Sequence, residues 1–273
     1  MPNLKLRLIF LVLKLLFSPQ INSLKYHDVV PLTRITNGEN APEGKFPFLA
    51  SILQREEHAC GGSILNQFLI LTAAHCCYDL QNEVLFEPED LRISVGNLFW
   101  RYGTKRDIKE VIVHENFTLG NLGFDIAILV LEKPIEFTKH IKSVKLNPKL
   151  IGSNEKLSCL TAGWGYRMLD GVMDQTTNHG LQFVEVKTIP LDLCKDMLID
   201  KIDVELEKKY YICVFTGDGK GTCHADSGGP LMFNNEQIGI LSLGMDCNNT
   251  LPEFYTRISE YYDWIMFNIK LKS

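Results

Sequence analysis

The chain has 273 residues, of which 45% are hydrophobic and 22% charged, and its formal net charge is −5. That length suits one large globular domain or two small ones, each able to bury a substantial core. The sequence contains no Lys/Arg block, so binding to nucleic acid is not expected. It also lacks a glycine-rich phosphate-binding loop and paired Cys-x-x-Cys zinc motifs.

The N-terminal segment predicts secretion. Residues Leu4 to Phe17 form an apolar run that basic residues interrupt, and the small residue Ser23 follows. The run is too short to span a bilayer comfortably, so residues 1–23 are interpreted as a signal peptide. The alternative is an amphipathic anchoring helix. No later stretch is long and apolar enough for a membrane span, and no membrane partner is expected.

From Ile35 onward, short β-branched and aromatic runs alternate with Gly, Asn and Pro, a pattern typical of an all-β sandwich or barrel. The predicted strands, in chain order, are Phe48–Leu53, Ser63–Thr72, Leu91–Val95, Ile108–Val113, Ile126–Leu131, Phe183–Ile189 and Ile238–Leu243. Residues Ile258 to Ile269 have helical spacing, and Ser259 is placed to cap the start of that helix. The chain could form two barrels that join near residues 147–154.

Eight cysteines behind a signal peptide indicate disulfide bonds rather than metal ligands. They are Cys60, Cys76, Cys77, Cys159, Cys194, Cys213, Cys223 and Cys247. Sequons at Asn116 and Asn248 are expected glycosylation sites in a secretory compartment.

Three residues are suited to nucleophilic catalysis. His75 ends an apolar strand, Asp125 heads another, and Ser227 lies in a turn of small residues. A hydroxyl is a poor nucleophile unless an imidazole takes its proton, and the imidazole needs an anion to hold its tautomer. Taken singly, they could be a partly buried histidine, a strand cap and a turn serine. Their conjunction in one chain order favours catalysis.

Several segments together resemble the trypsin/chymotrypsin-like serine proteases over residues 35–269, and these proteases use the same order of His, Asp and Ser. The segments are Arg34-Ile35-Thr36-Asn37-Gly38, Thr72 to Cys76, Asp125, Thr161-Ala162-Gly163-Trp164-Gly165, Asp226 to Pro230, Ser242-Leu243-Gly244 and Pro252 to Arg257. The resemblance implies an all-β fold of two six-stranded antiparallel Greek-key barrels with a C-terminal helix. The N-barrel would span about residues 35–147 and the C-barrel about 148–273, with the catalytic residues in the cleft between them.

The resemblance also implies roles for individual residues. Ser227 would attack the scissile carbonyl, His75 would act as general base and then general acid, and Asp125 would orient His75. The N–H groups of Ala225 and Ser227 would form the oxyanion hole. Residues Ser242, Leu243 and Gly244 would pair with the substrate backbone. The implied disulfides are Cys60–Cys76, Cys194–Cys213 and Cys223–Cys247.

Activation by proteolysis follows from the same resemblance. Residues 24–34 would be a short propeptide, and a trypsin-like protease would cleave after Arg34. The freed amino group of Ile35 would then pair with Asp226, a buried ion pair that is costly to break. Because an α-amino group has a reference pKa of about 8, activity is expected to fall at alkaline pH.

Four positions depart from the family pattern. Ala225 stands where glycine is usual; it keeps the N–H but restricts the backbone, so slower turnover or weaker binding of bulky inhibitors is expected. Leu243 replaces a tryptophan of the cleft. Gly221 replaces the basal aspartate of trypsins, while Glu253 occupies a wall of the specificity pocket. Glu253 could attract Lys or Arg, or turn aside and leave room for Phe, Tyr or Leu. We expect a mixed or chymotrypsin-like preference for the residue before the cut (P1).

The cysteines depart as well. Cys159 matches a family cysteine whose partner position holds Phe233, and Cys77 is additional. The two could pair, or Cys77 could replace Cys76 or bridge to another chain. The loop after Leu91 lacks an acid-rich calcium-binding stretch, so neither a metal nor another cofactor is expected.

The sequence therefore predicts a secreted, extracellular serine endopeptidase that works through an acyl-enzyme. Its expected partners are protein or peptide substrates, the activating protease and protein protease inhibitors. The alternative is a catalytically weak homologue that acts as a binding or regulatory protein. An esterase of unrelated fold would need a Gly-x-Ser-x-Gly elbow, but Ala225 stands at the position of its first glycine.

Overall fold

The computed structural model describes residues 38–119, 122–152, 154–169, 172–174, 180–198, 209–244, 247 and 250–272. Its strands are β1 (Glu39–Asn40), β2 (Leu49–Gln54), β3 (Glu57–Ile64), β4 (Leu69–Thr72), β5 (Tyr78–Asp79), β6 (Val84–Leu85), β7 (Leu91–Val95), β8 (Thr104–Val113), β9 (Ala127–Leu131), β10 (Ser158–Gly163), β11 (Arg167–Leu169), β12 (Val172–Asp174), β13 (Gln182–Ile189), β14 (Tyr211–Val214), β15 (Pro230–Phe233), β16 (Glu236–Leu243) and β17 (Glu253–Arg257). Its helices are α1 (Leu191–Leu198) and α2 (Ile258–Lys272), with 3₁₀ turns at Ala74–Cys77, Pro88–Asp90, Trp100–Tyr102 and Leu122–Phe124.

The first half of the described chain closes into an antiparallel barrel with the strand order β2-β3-β4-β9-β8-β7. Its strands are short apolar runs separated by turns, and their inward side chains make an apolar core that includes Ile52, Leu71, Ile93 and Ile128. Closure leaves no unpaired strand edge within the ring.

The second half forms the ring β13-β10-β15-β16-β17-β14, which the pairing of β13 with β14 closes. Val186, Leu231, Leu241 and Tyr255 lie in its core. The fold prediction of two six-stranded antiparallel barrels with a C-terminal helix is confirmed. The predicted join at residues 147–154 falls in the connection between β9 and β10.

Several predicted boundaries are wrong. The run Ser63–Thr72 is divided between β3 and β4, because a turn interrupts it: the Asn66 side chain accepts a hydrogen bond from the Phe68 N–H at 2.8 Å. Helix α2 begins at Ile258, so Ser259 is inside its first turn instead of capping it, and the helix extends beyond Ile269 to Lys272.

The structure contains the three disulfides that the family resemblance implied: Cys60–Cys76, Cys194–Cys213 and Cys223–Cys247. Cys77 and Cys159 are both buried free thiols, so the hypotheses that they pair or that Cys77 replaces Cys76 are wrong. Burial, followed by the charge of Asp125, raises the pKa of Cys77, and burial raises that of Cys159 to about 12. A buried thiol of this kind is poorly placed to bridge to another chain.

Several predicted features lie outside the described residues: the signal peptide, the propeptide with Arg34, the new N-terminus at Ile35 and the sequon at Asn248. The other acceptor, Asn116, is described and exposed. Among the described helices, none has the length and apolarity that crossing a membrane requires.

Candidate active site

His75 and Asp125 are in direct contact. His75 lies in the 3₁₀ turn that follows β4, and Asp125 lies just before the partner strand β9. The Asp125 carboxylate accepts two hydrogen bonds from His75, one from its backbone N–H at 2.9 Å and one from its ring Nδ1 at 2.7 Å. Because a carboxylate only accepts, Nδ1 carries the proton, and Nε2 of the neutral ring keeps its lone pair for a proton from elsewhere.

Asp125 is fully buried, and further contacts hold it in place. The Ser242 hydroxyl donates to its Oδ2 at 2.6 Å, and the Thr256 hydroxyl donates to its backbone carbonyl at 2.9 Å. Both donors come from the C-barrel, whereas Asp125 belongs to the N-barrel. Sequence reasoning placed Ser242 on the substrate strand but missed this side-chain contact, and it missed Thr256; the only available signal was a hydroxyl within an apolar strand.

The neighbouring carboxylate controls the basicity of His75. Burial by itself disfavours the charged imidazolium, but the charge of Asp125 and its hydrogen bond outweigh that effect, so the pKa of His75 is raised above its ordinary value of 6.5. The imidazole is thereby made a better proton acceptor.

Ser227 lies in the small-residue turn that leads into β15. Its carbonyl accepts a hydrogen bond from the Gly61 N–H at 2.7 Å, which ties the turn to β3. Gly228 follows in the left-handed region at φ +78°, and a Cβ there would lie only 2.3 Å from the Thr72 hydroxyl. A glycine is thus required for the turn to approach Thr72 at the end of β4, just before the 3₁₀ turn that carries His75.

The structure does not join all three predicted catalytic side chains. Among the hydrogen bonds of the described residues, none links the Ser227 hydroxyl to His75. His75 Nε2 lies 3.8 Å from Cys76 Sγ, within the segment that the Cys60–Cys76 disulfide holds. Catalytic hydrogen bonds are often loose before substrate binds, so this geometry is compatible with a nucleophile and base that meet later.

Ala225 adopts the left-handed conformation, at φ +70°. An alanine in this region costs about 1–2 kcal/mol because its Cβ crowds the carbonyl, whereas a glycine does not. Within the described part of the chain, the N–H groups of Ala225 and Ser227 donate no hydrogen bond. Two unengaged donors beside a partly exposed hydroxyl are suited to stabilise an oxyanion.

The carboxylate of Asp226 is buried between Gly163 and Gly165, where any added Cβ would clash with it. It accepts hydrogen bonds from the Gly165 N–H at 2.8 Å and the Cys223 N–H at 3.1 Å. Burial is the main cause that raises the pKa of Asp226 to about 7, and the charge of Glu253 adds to it. A buried carboxylate with this pKa is poised to receive a cation.

Glu253 is buried rather than left open to solvent. Its Oε1 accepts hydrogen bonds from the N–H and the hydroxyl of Thr222, and its Oε2 accepts one from the Tyr255 hydroxyl at 3.2 Å. The residue beside Thr222, Gly221, is also buried. Local donors therefore satisfy the carboxylate without a substrate cation.

The proposed substrate strand is at the end of β16. Ser242 is buried, Leu243 is partly buried and Gly244 is exposed. A Cβ at Gly244 would lie 3.7 Å from the Thr222 hydroxyl, which places this residue beside the segment that contacts Glu253.

Three residues of metal-ligating type, Cys60, His75 and Cys76, lie close together elsewhere in the site. The two cysteine sulfurs are bonded to each other and offer no thiolate to a metal.

The chain is similar to known proteins over most of its length. A family model described as Trypsin matches residues 35–265. The chain is 31% identical over 250 residues to testisin of Homo sapiens, covering 85% of this chain and 77% of testisin. It is 32% identical over 239 residues to hypodermin-A of Hypoderma lineatum, with coverage of 86% and 87%, and 30% identical over 239 residues to trypsin of Phaedon cochleariae, with coverage of 86% and 88%.

Solved structures show the same architecture. Human heparin binding protein superposes with a TM-score of 0.68 at 24% identity, covering 85% of this chain and 95% of that one. Neuropsin, a serine protease expressed in the limbic system of mouse brain, gives 0.71 at 24% identity, with coverage of 85% and 98%. At these identities the two structures support the fold alone.

Proposed function

Because this chain belongs to the trypsin family of serine proteases, we propose that it is a secreted serine endopeptidase made as an inactive precursor. The observation that carries the proposal is the contact between His75 Nδ1 and the buried Asp125 carboxylate at 2.7 Å. This contact fixes the imidazole in the tautomer that leaves Nε2 as a base.

The proposed reaction cleaves a peptide bond in two steps. The Ser227 hydroxyl attacks the scissile carbonyl while His75 Nε2 takes its proton, and the N–H groups of Ala225 and Ser227 stabilise the oxyanion. His75 then gives the proton to the leaving amine, which produces an acyl-enzyme. Water, deprotonated by the same imidazole, attacks the acyl-enzyme and releases the acid product.

Substrate specificity would come from two elements. Ser242, Leu243 and Gly244 would add the substrate backbone to the sheet as an extra strand, which gives affinity with little sequence preference. Gly221 and Glu253 would shape the P1 pocket. Because local donors already satisfy Glu253, basic side chains are not required there, and we propose a mixed or chymotrypsin-like preference.

Activation would require cleavage after Arg34 by a trypsin-like protease. The new ammonium of Ile35 would then reach the buried carboxylate of Asp226, whose pKa is raised mainly by burial. Protein substrates and protein inhibitors are the expected partners after secretion, and Asn116 is the expected glycosylation site among the described residues.

The experiment compares secreted wild-type protein with Arg34→Gln and Ser227→Ala, each before and after treatment with trypsin, on a library of quenched peptides. We expect hydrolysis only by the treated wild type, since the first variant keeps its propeptide and the second lacks the nucleophile. Full activity of Arg34→Gln would remove the activation step. Equal activity of Ser227→Ala would remove the assigned nucleophile.

A second function has specific support. The strained backbone of Ala225 and the absence of a Ser227–His75 bond among the described residues favour a catalytically weak homologue that binds proteins without cleaving them. The two functions predict different outcomes with a protein substrate. The endopeptidase turns over many equivalents, whereas the homologue forms a stoichiometric complex and releases no fragments.

A further inference from the structure

The conformation of Ala225 depends on the two peptide groups that flank it. Its φ of +70° is one that side-chain-bearing residues rarely adopt, so neighbouring contacts must maintain it. The peptide before Ala225 is held through the His224 carbonyl, which accepts a hydrogen bond from the Tyr166 N–H at 2.7 Å. In a trans peptide the N–H points away from the preceding carbonyl, so this contact also directs the N–H of Ala225.

The peptide after Ala225 is held at both ends: the Asp226 N–H donates to the Cys223 carbonyl at 3.2 Å, and the Ala225 carbonyl meets a buried histidine. His58 Nε2 lies 2.9 Å from the Ala225 carbonyl oxygen, and because that oxygen only accepts, Nε2 must carry the proton. The other ring nitrogen, Nδ1, is 2.8 Å from the hydroxyl of the fully buried Ser51. The ring is further confined by Trp100 and Trp164, at centroid distances of 6.3 and 5.8 Å.

We propose that His58 is a positioning residue of the oxyanion hole, which holds the Ala225 peptide in its left-handed conformation. The inference rests on the proposed function, because it is through Ala225 that His58 would influence the reaction. Glycine at this position would adopt the same conformation without strain. Alanine is strained in that conformation, so in this chain the hydrogen bond from His58 opposes rotation of the peptide to a relaxed conformation.

The consequence is a coupling between the two residues that can be measured. When the His58 donor is lost, Ala225 should relax and turn its N–H out of the oxyanion hole. Since the oxyanion forms in the transition state and tetrahedral intermediate but is absent from the bound substrate, kcat should fall while KM stays nearly constant. Glycine at position 225 should largely restore the rate, because it can occupy the productive conformation without support.

The test is a double-mutant cycle on activated protein with His58→Phe and Ala225→Gly. Phenylalanine keeps a ring between the two tryptophans but removes the donor. We expect His58→Phe to lower kcat at least about tenfold in the native background and about threefold or less in the Ala225→Gly background. Ser51→Ala, a smaller change that only frees the ring, should give a weaker loss with the same rescue. An equal loss in both backgrounds would overturn the proposal.

A matched control is His114→Phe, which removes another buried histidine from an aromatic cluster, stacked on Phe124 at 5.1 Å. Its effect should be the same whether residue 225 is alanine or glycine. Rescue of this control by Ala225→Gly would show that glycine merely compensates for any loss of stability, and would contradict a specific role for His58.

A second readout does not depend on catalysis. Ala225→Gly should raise the melting temperature by about 2–4 °C when His58 is present, since it relieves backbone strain. In the His58→Phe background the rise should be less than half as large, because Ala225 has already relaxed. Identical rises would reject the positioning role. An absence of hydrolysis by activated wild type would reject the proposed function and leave this thermal comparison to decide the role of His58.

Discussion

At the scale of single residues, Asp125 has the most demanding position. It is buried completely, and its carboxylate accepts hydrogen bonds from His75 and from the Ser242 hydroxyl. Burying a charge is costly unless it is paired and hydrogen-bonded, so this site is built to keep an anion against the imidazole.

We expect Asp125→Asn to lower kcat by about 10⁴-fold, because the amide no longer holds the reactive tautomer of His75. The acid limb of the pH profile should also move to lower pH. His75 must be neutral to act as a base, so activity rises as pH increases through its pKa, and the Asp125 charge is what raises that pKa. The measurement is kcat/KM against pH on an activated ester. An acid limb that stays in place would show that Asp125 does not set the pKa.

Glu253 is expected to tune specificity by its charge. Glu253→Gln keeps the size of the side chain and an acceptor for Thr222 while removing the charge. We predict that kcat/KM for peptides with Lys or Arg before the cut falls about tenfold, equivalent to about 1.4 kcal/mol, while peptides with Phe or Leu are little affected. Equal losses on both classes would mean that Glu253 supports the pocket without selecting the substrate.

The candidate residues could be found from sequence, but their contacts could not. The surroundings of His75, Asp125 and Ser227 are distinctive, so the resemblance located them. The contact of Ser242 with Asp125, by contrast, joins residues 117 positions apart in the chain. A hydroxyl in an apolar strand does not reveal which distant group it meets, and this information arises only when the two barrels pack.

At the scale of secondary-structure elements, strands with dense β-branched runs were well predicted. The strand Leu91–Val95 matches β7, and Phe183–Ile189 differs from β13 by one residue. The hairpin of β3 and β4 was missed because Leu65 and Phe68 continue the apolar run across the turn. A single side chain, Asn66, turns the backbone there, and hydrophobic periodicity carries little information on such local hydrogen bonds.

The end of β10 provides a prediction at this scale. A Cβ at Gly163 would lie 2.2 Å from Asp226 Oδ1, so an alanine must displace the carboxylate or the strand. We expect Gly163→Ala to reduce the activity of the cleaved protein at least about tenfold, since Asp226 can no longer receive the new N-terminus. The control is Gly180→Ala, whose Cβ would make an ordinary 3.4 Å contact with Phe99. Comparable activity of the two variants would contradict the importance of this close approach.

At the scale of the whole molecule, each barrel is completed by an element from the other half of the chain, so the two barrels are not independent. Strand β1 precedes the N-barrel in sequence but pairs with β13 of the C-barrel. Helix α2 follows the C-barrel, yet its buried face, with Ile258, Tyr261 and Ile265, belongs to the same core cluster as the N-barrel. The catalytic candidates are divided in the same way, so the site depends on how the barrels meet.

Activation should therefore alter global stability in a pH-dependent way. In the uncleaved chain the pKa of Asp226 is about 7 instead of 3.8, so the stability that its protonated form provides is lost as pH rises through this interval. After cleavage, pairing with Ile35 should keep the carboxylate charged without this loss. The advantage of the cleaved over the uncleaved protein in free energy of unfolding should grow from pH 4 to 7 and decline above about pH 8, as the amine deprotonates.

Urea denaturation of both forms between pH 4 and 10 measures this difference. Asp226→Asn is the control, because it removes the titrating group and should flatten the pH dependence in both forms. A difference between the cleaved and uncleaved proteins that is constant with pH would argue against an ion pair at Asp226.

The most direct test of the central claim is covalent labelling of the protein, cleaved after Arg34, with a fluorophosphonate, followed by peptide mapping. Such a reagent reacts with a serine whose hydroxyl is activated by a neighbouring base. We predict stoichiometric modification of Ser227 that disappears in His75→Ala and is much slower in the uncleaved chain. A cleaved, folded protein in which Ser227 stays unmodified, or is modified equally fast without His75, would contradict the account.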